Sequence, residues 1–82
     1  MDFSEAQAKV KTLSSKPSND QLLQLYSLFK QGSLGDASGK RPGMLDPVGR
    51  AKFDAWKKLG GTSKEDAQQR YVDLVEKLLA AN

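Results

Sequence analysis

The stretch from Arg41 to Trp56 reads RPGMLDPVGRAKFDAW and passes from a turn-rich loop into a helix. Its first half holds two prolines and a glycine, so its backbone is stiff and irregular. Asp46 has a side chain suited to a helix N-cap. Pro47 follows at the first helical position, where a missing N–H costs nothing. The stretch therefore predicts a long loop that ends where a helix begins.

The helical half of this stretch places a cation and an indole on one face. Lys52 and Trp56 are four residues apart, which is the spacing of neighbours on a helix surface. Beside a stiff loop, such a pair is typical of a binding site. A Trp in the core with a Lys in water is the commoner meaning of the same pattern, so the pattern alone favours the structural interpretation and leaves the binding site as the alternative.

Length and composition limit the classes of protein to consider. A chain of 82 residues makes one small domain, and we expect a single domain over 1–82. The chain has no cysteine and no histidine, so it lacks a disulfide framework, a thiol nucleophile, the usual zinc ligands and the usual general base. We therefore expect no enzyme, no cofactor and no metal site.

The charge balance is only mildly basic. Thirteen basic and ten acidic residues give a net charge of +3, which is not the dense positive field of a nucleic-acid binder and suits a small anionic ligand equally well. No apolar run approaches the roughly 18 residues of a membrane span, so we expect no stable membrane insertion. The N-terminal segment MDFSEAQAKV lacks the apolar core of a secretory signal, which favours a cytoplasmic location.

Hydrophobic spacing and capping signals predict four helices and no strand. Their expected limits are Asp2 to about Ser14, Ser18 to about Gln31 or Gly32, about Pro47 to Leu59, and Thr62 or Ser63 to about Ala80. The second helix is apolar on more than one face, so it either packs on two sides or leaves a groove for a ligand. The sequence thus predicts an all-α, four-helix bundle.

The connection from Gly32 to Asp46 has no helical periodicity and is long for a compact domain. It can reach back along the second helix, which is only about 20 Å long. The second and third helices therefore need not be antiparallel, whereas the two short connections should join antiparallel neighbours.

Several separated segments resemble the acyl-CoA-binding protein family, in the order and spacing of that family. The matching segments are Tyr26–Gln31, Gly35–Asp36, Arg41–Asp46, Lys52–Trp56, Gly61–Ala67 and Tyr71, and the resemblance covers essentially the whole chain. The resemblance implies an up-down-down-up bundle with the long loop as the crossover. It also implies a monomeric, non-catalytic carrier that binds long-chain acyl-CoA esters, buffering and transporting them.

The resemblance also implies which residues hold the ligand. Tyr26, Lys30, Lys52 and Tyr71 match the positions that bind the phosphorylated adenosine of coenzyme A, and further ligand contacts are implied at Lys11, Ser27, Leu28 and Phe29. The lysines would pair with phosphates through charge-assisted bonds, and the tyrosines would line the adenine pocket. Taken singly, each of the first four residues has a plain structural role as well, in the core, at a helix end or in solvent.

Three positions depart from the pattern of the family. Phe29 stands where tyrosine is common, so the ring is kept and the hydroxyl is lost. Val48 replaces a lysine found in many members, and Arg50 is a candidate substitute for that cation. Phe53 replaces a usual tryptophan, which affects packing more than binding.

An acyl chain needs an apolar groove beside the head-group site. The excess apolar surface of the second helix and the adjoining loop supply the candidates: Leu22, Leu23, Leu25, Met44 and Leu45. The alternative hypothesis is a small helical module that interacts with protein or nucleic acid. An esterase or transferase is a third hypothesis, but the chain shows no nucleophile–base pair.

Overall fold

Four α-helices make up the chain in the computed structural model, which describes residues 1–82. They are α1 (Phe3–Lys9), α2 (Asn19–Leu34), α3 (Pro47–Lys57) and α4 (Lys64–Ala81). A 3₁₀ turn, Val10–Thr12, extends α1. No residue lies in a β-strand, and the predicted all-α, four-helix fold is confirmed.

Each helix begins at a capping residue that the sequence indicated. The side chains of Asp2, Ser18, Asp46 and Ser63 each accept a hydrogen bond from a backbone N–H of the first turn that follows. Ser18 and Gln21 form the full reciprocal capping box. Such caps satisfy N–H groups that have no partner within the helix, so the starts of helices are encoded locally. At α4 the cap is Ser63 and not Thr62.

The prediction that the second helix ends at Gln31 or Gly32 was wrong, because α2 continues to Leu34. Gly32 is buried, and a Cβ there would lie 3.0 Å from Cγ of Gln68 and 3.2 Å from Cζ of Phe3. This glycine allows a close approach of α2 to its neighbours and does not end the helix. The end is at Gly35, whose φ of 84° is the left-handed conformation that glycine tolerates.

Two other helices end slightly earlier than expected. The first helical segment ends at Thr12 and not near Ser14, and α3 ends at Lys57 and not at Leu59. Beyond α3 the chain tightens into turns that close at Gly61, with a φ of 89°. Ends of helices fray into 3₁₀ turns, and spacing of apolar residues does not locate them to the residue.

Contacts between helices fix the direction of each one. Ring contacts of Phe3 with Tyr71 (centroids 5.2 Å apart) and a hydrogen bond from Ser14 to Asn82 make α1 parallel to α4. The start of α4 lies against the end of α2, where the Gln68 amide donates to the Gly32 carbonyl oxygen, so these two helices are antiparallel.

The third helix runs parallel to the second. Leu22 and Leu23, near the start of α2, face Pro47 and Val48 at the start of α3. At the other end, the indole N–H of Trp56 donates to the carbonyl oxygen just beyond α2, at Gly35 (2.8 Å). The bundle is therefore up-down-down-up, and the segment from Gly35 to Asp46 is the crossover.

The hydrophobic core lies between α1, α2 and α4, and α3 packs against α2 alone. Its buried members are Ala6, Leu25, Leu28, Ala67, Tyr71, Val72, Val75 and Leu78. Because α2 contacts both α3 and α4, its wide apolar surface is used on two sides. Phe3 meets Tyr71 edge to face, a geometry worth about 0.5–1.5 kcal/mol beyond burial.

A buried amide joins α2, the crossover and the turn before α4. The side chain of Gln31 is fully buried, and its Nε2 donates to Asp36 Oδ1 (2.8 Å) and to the Thr62 carbonyl oxygen (2.7 Å). The N–H of Gly61 also donates to Asp36 Oδ1, and these hydrogen bonds, the Gly61 one first, hold the pKa of Asp36 below its ordinary value. The link ties three segments that are distant in sequence.

An ion pair attaches the crossover to α3. The guanidinium of Arg41 makes two parallel hydrogen bonds with the carboxylate of Asp54, of 2.9 and 2.7 Å. Hydrogen bonding by Arg41 lowers the pKa of Asp54. Both side chains are partly exposed, so the pair positions the loop more than it stabilises the protein.

Gln31→Glu is expected to destabilise the protein at neutral pH. The change puts a carboxylate in place of a buried amide that donates to a carboxylate and a carbonyl, at a cost of about 3 kcal/mol in the free energy of unfolding. The new carboxyl group has a raised folded-state pKa, so its penalty grows as pH rises above the unfolded pKa and shrinks in acid. Urea unfolding of the wild type and the variant at pH 7 and pH 4.5 measures the loss of unfolding free energy at each pH.

Gln69→Glu is the matched control for this variant. Gln69 also donates to a carboxylate, that of Asp73 at 2.9 Å, but it lies on the exposed face of α4. Solvent screens the new charge there, and we expect a change within about 0.5 kcal/mol at either pH. Equal effects of the two substitutions would show that the buried amide link does not hold the fold.

Candidate functional site

Two lysines from different helices converge on one tyrosine. Nζ of Lys52, on α3, lies 5.1 Å from the ring centroid of Tyr26, on α2. Nζ of Lys30 lies 5.8 Å from the same ring, one turn further along α2. Both distances are within the range in which a ring attracts a cation. The parallel packing of α2 and α3 produces this arrangement, because it puts equivalent turns of the two helices side by side.

Lys52 and Trp56 share a face of α3, but in the structure each contacts a different residue. Trp56 is 7% exposed, and the cation near its ring is Lys30, at 5.7 Å, and not Lys52. The spacing of Lys52 and Trp56 had suggested a pair within one helix. The structure instead has two cation–ring contacts across the α2–α3 seam, and Trp56 takes the structural role that the pattern also allowed.

Neither Lys30 nor Lys52 has an acidic partner. The ion pairs of the chain join the N-terminus to Glu76 and Arg41 to Asp54, and both lie elsewhere. Two unpaired ammonium groups on one ring repel each other, so an anion placed between them would be attracted by both.

Tyr26 also lines an apolar pocket of about 300 Å³, which we call the aromatic pocket. The pocket lies between α2, α4 and the segment after α1, and its lining residues are Val10, Pro17, Leu22, Leu25, Tyr26, Phe29 and Tyr71. Its volume and its rings suit a flat aromatic group such as a nucleobase.

Tyr71 forms the inner wall of the aromatic pocket. Tyr71 is 5% exposed. Its ring packs against those of Phe3 and Phe29, and the Tyr71 and Phe29 ring centroids are 6.5 Å apart. Burial raises the pKa of the Tyr71 hydroxyl above its ordinary value. The hydroxyl has no hydrogen-bond partner in the chain, and its oxygen is not fully buried, so it can donate to a group placed in the pocket.

A second, larger concavity of about 420 Å³ separates the first turns of α2 and α3, and we call it the apolar cleft. Its lining residues are Asn19, Leu22, Leu23, Pro47, Val48, Ala51 and Lys52. Leu22 borders both concavities, and Lys52 joins the cleft to the Tyr26 ring. The cleft, the cations and the aromatic pocket are therefore contiguous.

Five of the residues expected at the site lie together in this region: Tyr26, Phe29, Lys30, Lys52 and Tyr71. Among the groove candidates, Leu22 and Leu23 line the apolar cleft, and Leu25 lines the aromatic pocket. Lys11 is exposed and follows Val10 of the aromatic pocket directly in sequence.

Besides Lys11 and Lys30, four expected residues line neither concavity. Leu28 is buried in the core, and the hydroxyl of buried Ser27 donates to the Gln24 carbonyl oxygen on the side of α2 that faces Ala51 and Ala55. Met44 and Leu45 are almost fully exposed in the turn before α3, so neither lines the cleft.

Several lining residues were not identified from the sequence as apolar-cleft residues, namely Asn19, Pro47, Val48 and Ala51. The long crossover in the sequence could have indicated these lining residues, because it allows α2 and α3 to be parallel. Parallel helices bring their first turns together. Once α2 and α3 are taken as parallel, Leu22 and Val48 belong to opposite walls of the same cleft.

No cluster of acidic residues, histidine or cysteine could hold a metal ion, and no helix is both long and apolar enough to cross a lipid bilayer.

Fold and site together define a small helical protein built to bind an anionic, partly apolar ligand. The sequence profile described as Acyl CoA binding protein matches residues 1–75. The chain belongs to this family, whose members are binding proteins and not enzymes, and the prediction of a non-catalytic protein is confirmed.

Relatives and solved structures agree with this membership. The chain is 54% identical over 80 residues to acyl-CoA-binding protein homolog 1 of Caenorhabditis elegans, covering 98% of this chain and 93% of the relative. It is 55% identical to the homolog of Manduca sexta, over 96% and 89% of the two chains. The crystal structure of acyl-CoA-binding protein 2 of Oryza sativa superposes with a TM-score of 0.91 at 42% identity, over 96% of this chain and 86% of that one.

The hydroxyl of Tyr71 is expected to ionise above pH 10, the ordinary value for tyrosine, because burial disfavours the phenolate. An ultraviolet titration of the wild-type protein, less that of Tyr71→Phe, isolates this ionisation. The protein must stay folded through the titration, which circular dichroism checks. A difference curve centred at or below pH 10 would contradict the burial of this hydroxyl.

Proposed function

We propose that this chain binds long-chain acyl-CoA esters reversibly and carries them without chemical change. The observation that supports this most directly is the convergence of unpaired Lys30 and Lys52 on the Tyr26 ring, beside an apolar cleft. We further propose that residues 1–82 form one acyl-CoA-binding domain. The relatives of the chain are acyl-CoA-binding proteins by name, which favours the same ligand.

The head group would bind at the two lysines and in the aromatic pocket. The 3′-phosphate and neighbouring phosphates would take charge-assisted hydrogen bonds from Lys30 and Lys52, and the adenine would stack among the rings of the aromatic pocket. The hydroxyl of Tyr71, which has no partner in the chain, would donate to a phosphate oxygen or to the base. Phe29 supplies a ring at the same pocket but no polar contact.

The acyl chain would lie in the apolar cleft. Lys52 borders the cleft and covers Tyr26, so a phosphate held at Lys52 puts the rest of the ligand at the entrance of the cleft. Leu22 and Leu23 from one wall and Val48 and Ala51 from the other would contact the methylenes. The exposed side chains of Met44 and Leu45 would extend this apolar surface beyond the cleft.

The two halves of the site would have different tasks. Removing a long acyl chain from water contributes on the order of 10 kcal/mol as an upper bound, at about 0.8 kcal/mol for each methylene. Each charge-assisted hydrogen bond adds about 1.5–3 kcal/mol. The chain would therefore supply most of the affinity, and the lysines would select coenzyme A esters over free fatty acids.

Lys52→Ala is expected to weaken binding of palmitoyl-CoA by about 10- to 100-fold, because the phosphates lose one charge-assisted partner. Isothermal titration calorimetry measures this loss. The melting temperature should change little, since Lys52 is exposed and forms no ion pair.

Lys77→Ala is the matched control, because Lys77 is also exposed and unpaired but lies near the end of α4, where it lines neither the cleft nor the aromatic pocket. We expect its affinity for palmitoyl-CoA to stay within about twofold of the wild type. Wild-type binding by Lys52→Ala would show that the head group does not sit at this lysine.

The wild-type protein is expected to bind palmitoyl-CoA with a dissociation constant below about 1 μM, and to bind palmitate and free coenzyme A far more weakly. Each of the weaker ligands fills only one half of the site. Calorimetry with all three ligands tests the proposal, and equal affinities for palmitoyl-CoA and palmitate would refute it. Native mass spectrometry of the purified protein provides an independent search for a bound acyl-CoA.

We propose that the carrier acts as a monomer in the cytoplasm. A nucleic-acid partner is the less favoured alternative, because ten acidic residues are interspersed among the thirteen basic ones.

A further inference from the structure

The largest exposed apolar side chains of the crossover and α3 are adjacent. Leu45 and Met44 are 102% and 84% exposed, and Val48, in the first turn of α3, is 64% exposed. We call these three residues, together with Pro47 between them, the apolar tip. Small proteins in water rarely display such side chains as a group without a partner for them.

The apolar tip is held rigidly. The backbone N–H of Asp46 donates to the Gly43 carbonyl oxygen and closes a turn over Met44 and Leu45 (3.0 Å). Prolines lie on both sides of this turn, and the Arg41–Asp54 ion pair anchors the loop before it to α3. The side chains therefore stay exposed because the backbone beneath them is fixed, so they do not fold back onto the protein.

Basic side chains outnumber acidic ones around the apolar tip. Residues 37–54 hold four basic residues and two acidic residues, a net charge of +2. Asp54 pairs with Arg41, and Asp46 is turned toward α3 and accepts the N–H of Gly49 as the helix cap. Lys40, Arg50 and Lys52 form no ion pair.

We propose that the apolar tip docks this protein reversibly on the surface of an anionic lipid bilayer. Met44 and Leu45 would enter the interface between head groups and acyl chains, while Lys40 and Arg50 would meet anionic head groups. Two exposed apolar residues with a few cations match a weak interfacial contact and not a membrane anchor. A protein partner would explain the exposed side chains, but it would not require the surrounding positive charge.

The position of the apolar tip also gives docking a use. Pro47 and Val48 belong both to the tip and to the lining of the apolar cleft. A docked protein would therefore hold the entrance of the cleft against the bilayer, and an acyl chain would pass between the two without crossing water. This use rests on the proposed carrier function, whereas docking itself requires no ligand.

Sedimentation with lipid vesicles tests the proposal on the unliganded protein. The wild-type protein should bind vesicles of phosphatidylcholine mixed with phosphatidylserine, bind pure phosphatidylcholine much less, and be released by high salt. The double variant Met44→Ser with Leu45→Ser should bind the mixed vesicles about tenfold more weakly or worse. Lys40→Gln should weaken the same binding by a few-fold.

Leu34→Ser is the matched control, since Leu34 is also exposed (61%) but lies at the far end of α2. It should bind mixed vesicles as the wild type does, and the melting temperatures of all variants should agree closely. Absence of binding to mixed vesicles, equal binding to both kinds of vesicle, or an unchanged Met44→Ser, Leu45→Ser variant would overturn the proposal.

The proposed function is measured separately, by titration of each protein with palmitoyl-CoA in the absence of lipid. If the wild-type protein binds palmitoyl-CoA but not the vesicles, docking is refuted and the carrier function stands. Vesicle binding by a wild-type protein that does not bind palmitoyl-CoA would support docking and refute the carrier function.

Discussion

The attachment of α3 to α2 is the constraint on which the site depends. α3 contacts no other helix, so its register along α2 is set by that seam and by the crossover. The indole N–H of Trp56 reaches the carbonyl oxygen of Gly35 at one end, and Arg41 holds Asp54 on the outer side. A shift of one helical turn would move Lys52 about 5.4 Å along Tyr26 and separate the two lysines. Packing geometry therefore determines the electrostatics of the site.

Most of the fold could be predicted because its signals are local. The four N-caps depend on side chains that reach only a few residues along the chain, and all four were found as expected. The predicted helix ends that were wrong depend on tertiary contacts. Gly32 looks like the end of a helix in sequence, but in the structure it is a point where α2 closely approaches Gln68 and Phe3. The buried hydrogen bonds of Gln31 left no trace in the sequence pattern for the same reason.

The candidate site was less predictable than the fold. Helical spacing places Tyr26 and Lys30 together, and the structure agrees. Spacing within α3 also suggested a pair of Lys52 with Trp56, but contacts across helices outweigh it, because the neighbouring helix offers a closer ring. The direction of side chains in an irregular loop follows no period. Met44 and Leu45 therefore could be recognised as apolar but not as pointing away from the cleft.

The isolation of α3 from the remainder of the bundle has a consequence for how this architecture diversifies. Val48 and Ala51 form one wall of the cleft and do not belong to the cluster of side chains that α1, α2 and α4 enclose. Replacing them alters the width and polarity of that wall while the packing that keeps the chain folded is untouched. In the proposed carrier, this wall of the cleft would therefore set ligand preference with little effect on stability, whereas Leu25 and Tyr71 of the aromatic pocket also belong to the core. Evolution could adjust the cleft wall more freely than the pocket.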